Sequence, residues 1–197
     1  MSGKRKSSRA PAASGRLRLI GGEFRRRLLP VPASPGLRPT PDRVRETLFN
    51  WLSGTLTSRT RALDLFAGTG ALGLEALSRG AGEVVFVESD RHVARQIEAN
   101  LDALGRSMPV IKSRAEAFLE RPVASPFDLV FLDPPFRHDL AGACCQRLEA
   151  GGWLAEGAHV YLETEAELLP APPAGWQLLR ETRAGDSRAR LYRRGRP

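Results

Sequence analysis

Two short stretches of this sequence hold residue types that could do chemistry. The first is Asp133-Pro134-Pro135-Phe136, which follows the apolar run Phe-Asp-Leu-Val-Phe-Leu at 127–132. That run reads as a short strand buried on both faces, and the two prolines forbid its continuation. A carboxylate and an aromatic ring are thereby placed at a strand's C-terminal end, where open α/β sheets bind their ligands. A hydrogen-bond acceptor beside a flat stacking surface suits a planar base that carries an amino group. Taken alone, the tetrapeptide reads equally well as an ordinary turn.

The second stretch is Asp64-Leu65-Phe66-Ala67-Gly68-Thr69-Gly70, completed by Gly73 as a GxGxxG pattern between a predicted strand and a predicted helix. Glycines there let backbone approach a ligand, and the helix start offers free amides and a positive dipole end. Glu88 closes the next strand 24 residues after Asp64 and is placed to accept hydrogen bonds from ribose hydroxyls. The pattern points to a nucleoside cofactor, either NAD or S-adenosylmethionine. Asp64 favours the second, because it would attract the ammonium of a methionine moiety and repel a pyrophosphate.

Alternating elements must position these residues. Strands are expected at 62–66, 83–87, 109–112, 127–132 and 159–162, with helices at 70–79, 90–104, 116–120 and 140–148. Repeated βα units require right-handed crossovers, hence a parallel sheet covered on both faces. Runs at 176–181 and 189–193, separated by Gly185-Asp186, read as an antiparallel closing pair. Upstream, 17–20 and 24–29 read as a hairpin turning at Gly21-Gly22. Thr40-Pro41 reads as a hydroxyl cap and first-turn proline of a helix with an apolar stripe at Val44, Leu48, Trp51 and Leu52. Three segments result: a disordered basic tail at 1–15, a hairpin extension at 16–40 and the main domain at 41–197.

Charge is divided along the chain. Residues 1–61 hold 14 Lys/Arg against 3 Asp/Glu, and residues 180–197 hold 7 against 2, whereas 62–179 hold 9 against 17. Basic ends around an acidic centre point to a polyanion touched by the ends. Of the 30 cationic residues 27 are arginine, whose fork suits bidentate phosphate contacts. No apolar run reaches membrane-spanning length and no signal core follows the basic N-terminus, so neither an integral membrane protein nor a secreted one is expected. Cys144 and Cys145 are adjacent and form no disulfide framework, which favours a reducing cytoplasm. With three scattered histidines they make no zinc-ligand spacing, and no metal is expected.

Together, the glycine loop, the acid after strand two and Asp-Pro-Pro-Phe after strand four resemble the class I amino-methyltransferases. Within that group the chain is similar to the bacterial small-subunit rRNA methyltransferase D family, most specifically over 16–32, 37–50 and 64–80. The resemblance implies a Rossmann-like, seven-stranded, mostly parallel sheet with an antiparallel C-terminal strand and a small N-terminal β-hairpin. It implies S-adenosylmethionine as cofactor and the N2 amine of a 16S rRNA guanine as methyl acceptor, in an assembled or partly assembled small subunit. A monomer is expected. By the same resemblance Asp64, Phe66, Ala67, Gly68, Gly70 and Glu88 line the cofactor site, and Asp133, Pro134, Pro135 and Phe136 hold the base. The family often places Asp or Asn after strand three for the adenine amine, and Ser113-Arg114-Ala115-Glu116 stands there instead. Either Glu116 substitutes or backbone at Ala115 reads the adenine. Arg16, Arg18, Arg25, Arg26, Arg27, Arg38, Thr40, Arg43 and Arg45 are the candidate RNA contacts. A DNA amino-methyltransferase is the alternative, disfavoured because no insertion could serve as a DNA target-recognition domain. A nicotinamide-dependent oxidoreductase is the more remote one.

Overall fold

The computed structural model describes residues 13–34, 37, 40–135, 140–168 and 170–195. Arg38, Phe136 and the first twelve residues lie outside this set. Strands β1 (Ala13–Arg18) and β2 (Leu28–Pro32) form an antiparallel pair, and helix α1 (Asp42–Trp51) follows. Then come β3 (Arg61–Asp64), α2 (Ala71–Ser78), β4 (Glu83–Glu88), α3 (Arg91–Ala103), β5 (Val110–Lys112), α4 (Ala115–Leu119), β6 (Phe127–Leu132) and α5 (Leu140–Ala150). Strands β7 (Leu154–Glu165), β8 (Trp176–Ala184) and β9 (Ser187–Arg194) close the chain.

Seven strands form one sheet in the order β5-β4-β3-β6-β7-β9-β8. Every neighbouring pair from β5 to β7 is parallel, while β9 runs antiparallel to both β7 and β8. The strand order reverses between β3 and β6, which opens a crevice beyond their C-terminal ends. Alternating side chains feed two cores. One joins Ala62, Phe86 and Phe131 to α1, α2, α3 and the hairpin, and the other joins Leu63, Val87 and Val130 to α4 and α5. Burial on both faces is why these strands read as continuous apolar runs.

Four expectations need correction. Residues 13–15, assigned to the tail, belong to β1, with Ala13 opposite Pro32 and Gly15 opposite Val31. Gly21-Gly22 is not a tight two-residue turn. The loop 19–27 presses it against the end of α2, where Glu23 N donates to Ser78 O at 2.7 Å and Phe24 N to Ser78 Oγ at 3.0 Å. Gly22 has φ +76°, and a Cβ there would lie 1.7 Å from Ser78 O, so the close approach itself requires glycine. Thr40 does not cap α1, whose N-cap is Pro41 with no side-chain hydrogen bond. Finally, β7 runs beyond Leu162 to Glu165. Asp90 does cap α3, accepting from His92 N at 2.7 Å and Val93 N at 3.3 Å.

Candidate active site

The glycine loop lies directly past β3. Gly68 and Gly70 have φ of +52° and +76°, conformations that favour residues without a Cβ. Gly73 is needed for a different reason. A Cβ there would sit 2.3 Å from Phe86 Cε1, so this glycine lets α2 pack onto β4. Asp64 is buried beneath the loop, and its Oδ2 accepts from Gly73 N at 2.9 Å. Burial, partly offset by that amide, pushes its pKa up to about 7. It therefore braces the loop from inside with one oxygen, and the other is not engaged by the Gly73 amide.

Glu88 ends β4 beside this loop. Its two oxygens accept from Gly68 N at 2.8 Å and Asp90 N at 2.7 Å. Each carboxylate oxygen accepts twice, so acceptor capacity remains on a half-buried group at the rim. Phe66 is half-buried and Ala67 buried beside it. Positive-φ glycines, a strand-end acid and the start of α2 form a donor and acceptor set that fits a nucleoside with an amino-acid arm. Beyond β5, Ala115 is buried, and the Glu116 carboxylate pairs with Arg114 at 3.0 Å. An adenine amine would compete with Arg114 for that carboxylate.

Asp133 and Pro134 follow β6, the strand beside β3, so they stand at the neighbouring mouth of the same crevice. Asp133 is half-buried, Pro134 buried and Pro135 exposed. Burial, then the charges of Glu163 and Asp64, hold the Asp133 carboxyl well above the ordinary carboxylate range. The Thr40 hydroxyl donates a hydrogen bond to it and acts in the opposite sense. Three described residues before α1 thus lie along the sheet's C-terminal edge. Ser34 Oγ donates to Asp90 Oδ2 at 3.1 Å, Leu37 Cδ1 lies 3.4 Å from where a Gly68 Cβ would be, and Thr40 reaches Asp133.

The candidate RNA contacts divide. Arg16, Arg25, Arg26, Arg27 and Arg43 are exposed, and Arg18 is exposed while paired with Asp42 at 2.7 Å. Arg45 does not belong with them. It is 1% exposed and donates to Thr40 O at 3.2 Å and Arg18 O at 2.9 Å, while pairing with Asp42 and, at 3.6 Å, with Glu75. Glu75 is fully buried and accepts from Ile20 N, Gly21 N and Arg79 Nε. An arginine on the inner stripe of α1 became an internal clasp between hairpin, α1 and α2, which residue type alone does not reveal. Sequence reasoning also passed over Tyr161 and Glu163. A charge ending an apolar strand was the available signal, but β7 was taken to stop at Leu162.

A family model described as conserved hypothetical protein 95 matches residues 17–193. The ribosomal RNA small subunit methyltransferase D of Escherichia coli K12 is 50% identical over 185 residues, 93% of this chain and 92% of that protein. The solved structure of yhhF from Escherichia coli superposes with a TM-score of 0.86 at 48% identity, covering 92% of this chain and 99% of the other. At the level of fold alone, an RNA methyltransferase from Salinibacter ruber, solved with S-adenosyl-L-homocysteine, gives a TM-score of 0.62 at 15% identity, over 81% and 95% of the chains.

Proposed function

Because the chain belongs to the family of the small-subunit rRNA methyltransferases D, we propose that it methylates the exocyclic N2 amine of a guanine in 16S rRNA with S-adenosylmethionine. The observation that carries the reading is adjacency: Asp133-Pro134 ends the strand next to the one whose end bears the Gly68/Gly70 loop. The acceptor group and the cofactor cradle thus open onto one crevice. Exposed arginines of the hairpin and α1 supply phosphate contacts that position the rRNA. The enzyme works as a monomer in the cytoplasm on an assembled or partly assembled small subunit. Among the described residues, no helix is long and apolar enough to cross a membrane.

Residues of this chain then have the following tasks. Gly68 and Gly70 let backbone amides approach the cofactor, Glu88 accepts from its ribose hydroxyls, and Asp64 holds the loop and faces the ammonium end. When bound, the cofactor supplies a methyl group on a positively charged sulfur. An exocyclic amine is a poor nucleophile because its lone pair is delocalised into the ring. Asp133 and the Pro134 carbonyl accept its two N–H bonds and fix the nitrogen's direction. Alignment of this kind can contribute about 7–11 kcal/mol. A proton leaves N2 only once the new N–C bond exists, and Asp133, its pKa raised, is suited to receive it. An aromatic ring stacked on the base, the role expected of Phe136 from its place in the sequence, contributes roughly 1–3 kcal/mol. The guanine must leave its own stack to enter, so a loop nucleotide is favoured.

The test is Asp133→Ala with labelled S-adenosylmethionine and small subunits lacking the modification. Transfer is expected to disappear while cofactor affinity, read by calorimetry, stays within a few-fold. Full transfer by that variant would remove Asp133 from the mechanism.

A further inference from the structure

Glu163 is the buried charged group beside the site that the mechanism above does not use. It lies on β7, and β6 pairs with β7 in register, Phe131 with Tyr161 and Leu132 with Leu162. One step further, Glu163 stands across from Asp133, on the same sheet face, because side chains alternate along both strands. The rings of Phe131 and Tyr161, two residues back on that face, meet edge to face at 6.4 Å, which confirms the shared side.

A carboxylate 94% removed from solvent is expensive unless it has partners. Glu163 is 6% exposed, and its Oε2 accepts from the Tyr161 hydroxyl at 2.7 Å. No described residue hydrogen-bonds to its Oε1. Tyr161 is itself wholly buried, so its hydroxyl commits one oxygen of Glu163 and leaves the other free to accept, on a carboxylate whose charge is felt at Asp133.

The Watson–Crick edge of guanine presents N1–H directly beside the N2 amine. Adenine has an acceptor at N1, and so does 2-aminopurine, which keeps the N2 amine but lacks the N1 hydrogen. A fixed acceptor next to the amine-binding group therefore distinguishes guanine from both. Resting on the proposed guanine-N2 activity, we propose that Glu163 is a specificity residue whose free oxygen accepts the N1–H of the target guanine while Asp133 and Pro134 hold its N2 amine. Tyr161 is the positioning residue that orients it. A base with an acceptor at N1 would face an unpaired carboxylate oxygen, and sites built around such a hydrogen bond discriminate strongly.

The structure also makes a sharper claim about Glu163→Gln. The Tyr161 hydroxyl donates, so it selects the amide oxygen of the variant and turns the amide NH₂ toward the base. The atom facing N1 changes from acceptor to donor. The preference for guanine should then be lost.

The experiment uses small-subunit particles assembled on 16S rRNA carrying either guanine or 2-aminopurine at the modified position, with labelled S-adenosylmethionine. The readout is kcat/KM for each particle. Wild type is expected to favour guanine by about a hundredfold or more, and Glu163→Gln to lose rate on guanine while gaining on 2-aminopurine, moving the ratio by about a hundredfold. In Glu163→Gln with Tyr161→Phe, the amide is no longer oriented and the gain on 2-aminopurine should vanish. Cofactor affinity and melting temperature of each variant report on folding. A guanine to 2-aminopurine ratio unchanged by Glu163→Gln, in a folded and cofactor-binding variant, would overturn the assignment of Glu163 alone. Failure of wild type to label guanine particles would overturn the underlying activity.

Discussion

Arg45→Ala separates an internal clasp from an RNA contact. In the structure this guanidinium is 1% exposed and reaches two backbone carbonyls, Thr40 O and Arg18 O, as well as Asp42 and Glu75. Removing one member of a buried ion pair generally destabilises by about 3–5 kcal/mol. Glu75 would keep Arg79 at 2.6 Å and the amides of Ile20 and Gly21 at 2.8 and 2.9 Å, so its charge is not abandoned. That places the effect at the lower end, about 3 kcal/mol. A chain of this length shifts by roughly 2–4 °C per kcal/mol, so a loss of about 6–12 °C in Tm is expected. Circular dichroism melting reads it directly, with exposed Arg43→Ala as the comparison. Arg43→Ala should melt within about 0.5 kcal/mol of wild type and lower the slope of log affinity against log salt by about 1. Wild-type melting by Arg45→Ala, together with weakened RNA binding, would refute the clasp and return Arg45 to the RNA surface.

Other outcomes follow from the same geometry. Asp64 has a pKa of about 7 when folded, so between pH 4 and 7 the folded chain holds more protons than the unfolded one and stability falls as pH rises. Asp64→Asn, which still accepts from Gly73 N, should flatten that fall by up to about 4 kcal/mol across the window, measured by urea unfolding at several pH values; an unchanged slope would contradict the buried-acid account. Gly73→Ala should cost about 1–3 kcal/mol through the clash with Phe86 and weaken cofactor binding, checked by melting and calorimetry. The raised pKa of Asp133 implies that kcat/KM falls on acidification with a midpoint above the usual carboxylate range, since the acceptor form is needed. A profile flat down to about pH 4.5 would contradict it, that being near the unperturbed carboxylate range.

The sequence made the βα core legible because parallel strands buried on both faces leave uninterrupted apolar runs. The run at 127–132 coincides with β6, and Asp90 caps α3 as its side chain suggested. The glycine pattern was legible too, although its third glycine serves helix packing against Phe86. What stayed hidden depends on contacts between distant segments. Thr40 looks like a cap, yet its hydroxyl reaches Asp133, more than ninety positions away, because Thr40 lies, with Ser34 and Leu37, along the sheet edge. Arg45 looks like surface charge until Glu75 is seen buried opposite. Gly21-Gly22 looks like a hairpin turn until Ser78 is found against it. Glu163 was passed over because an antiparallel neighbour, β9, extends β7 past its apolar run.

Methyl transfer from this crevice to an rRNA guanine can be measured directly. Labelled S-adenosylmethionine should be offered in parallel to small subunits lacking the modification, naked 16S rRNA and duplex DNA, with nucleoside digestion and mass identification of the product. Label recovered as N2-methylguanosine from the ribosomal RNA, with none on DNA, is the expected result. Label on DNA alone, or on no RNA substrate, would contradict it.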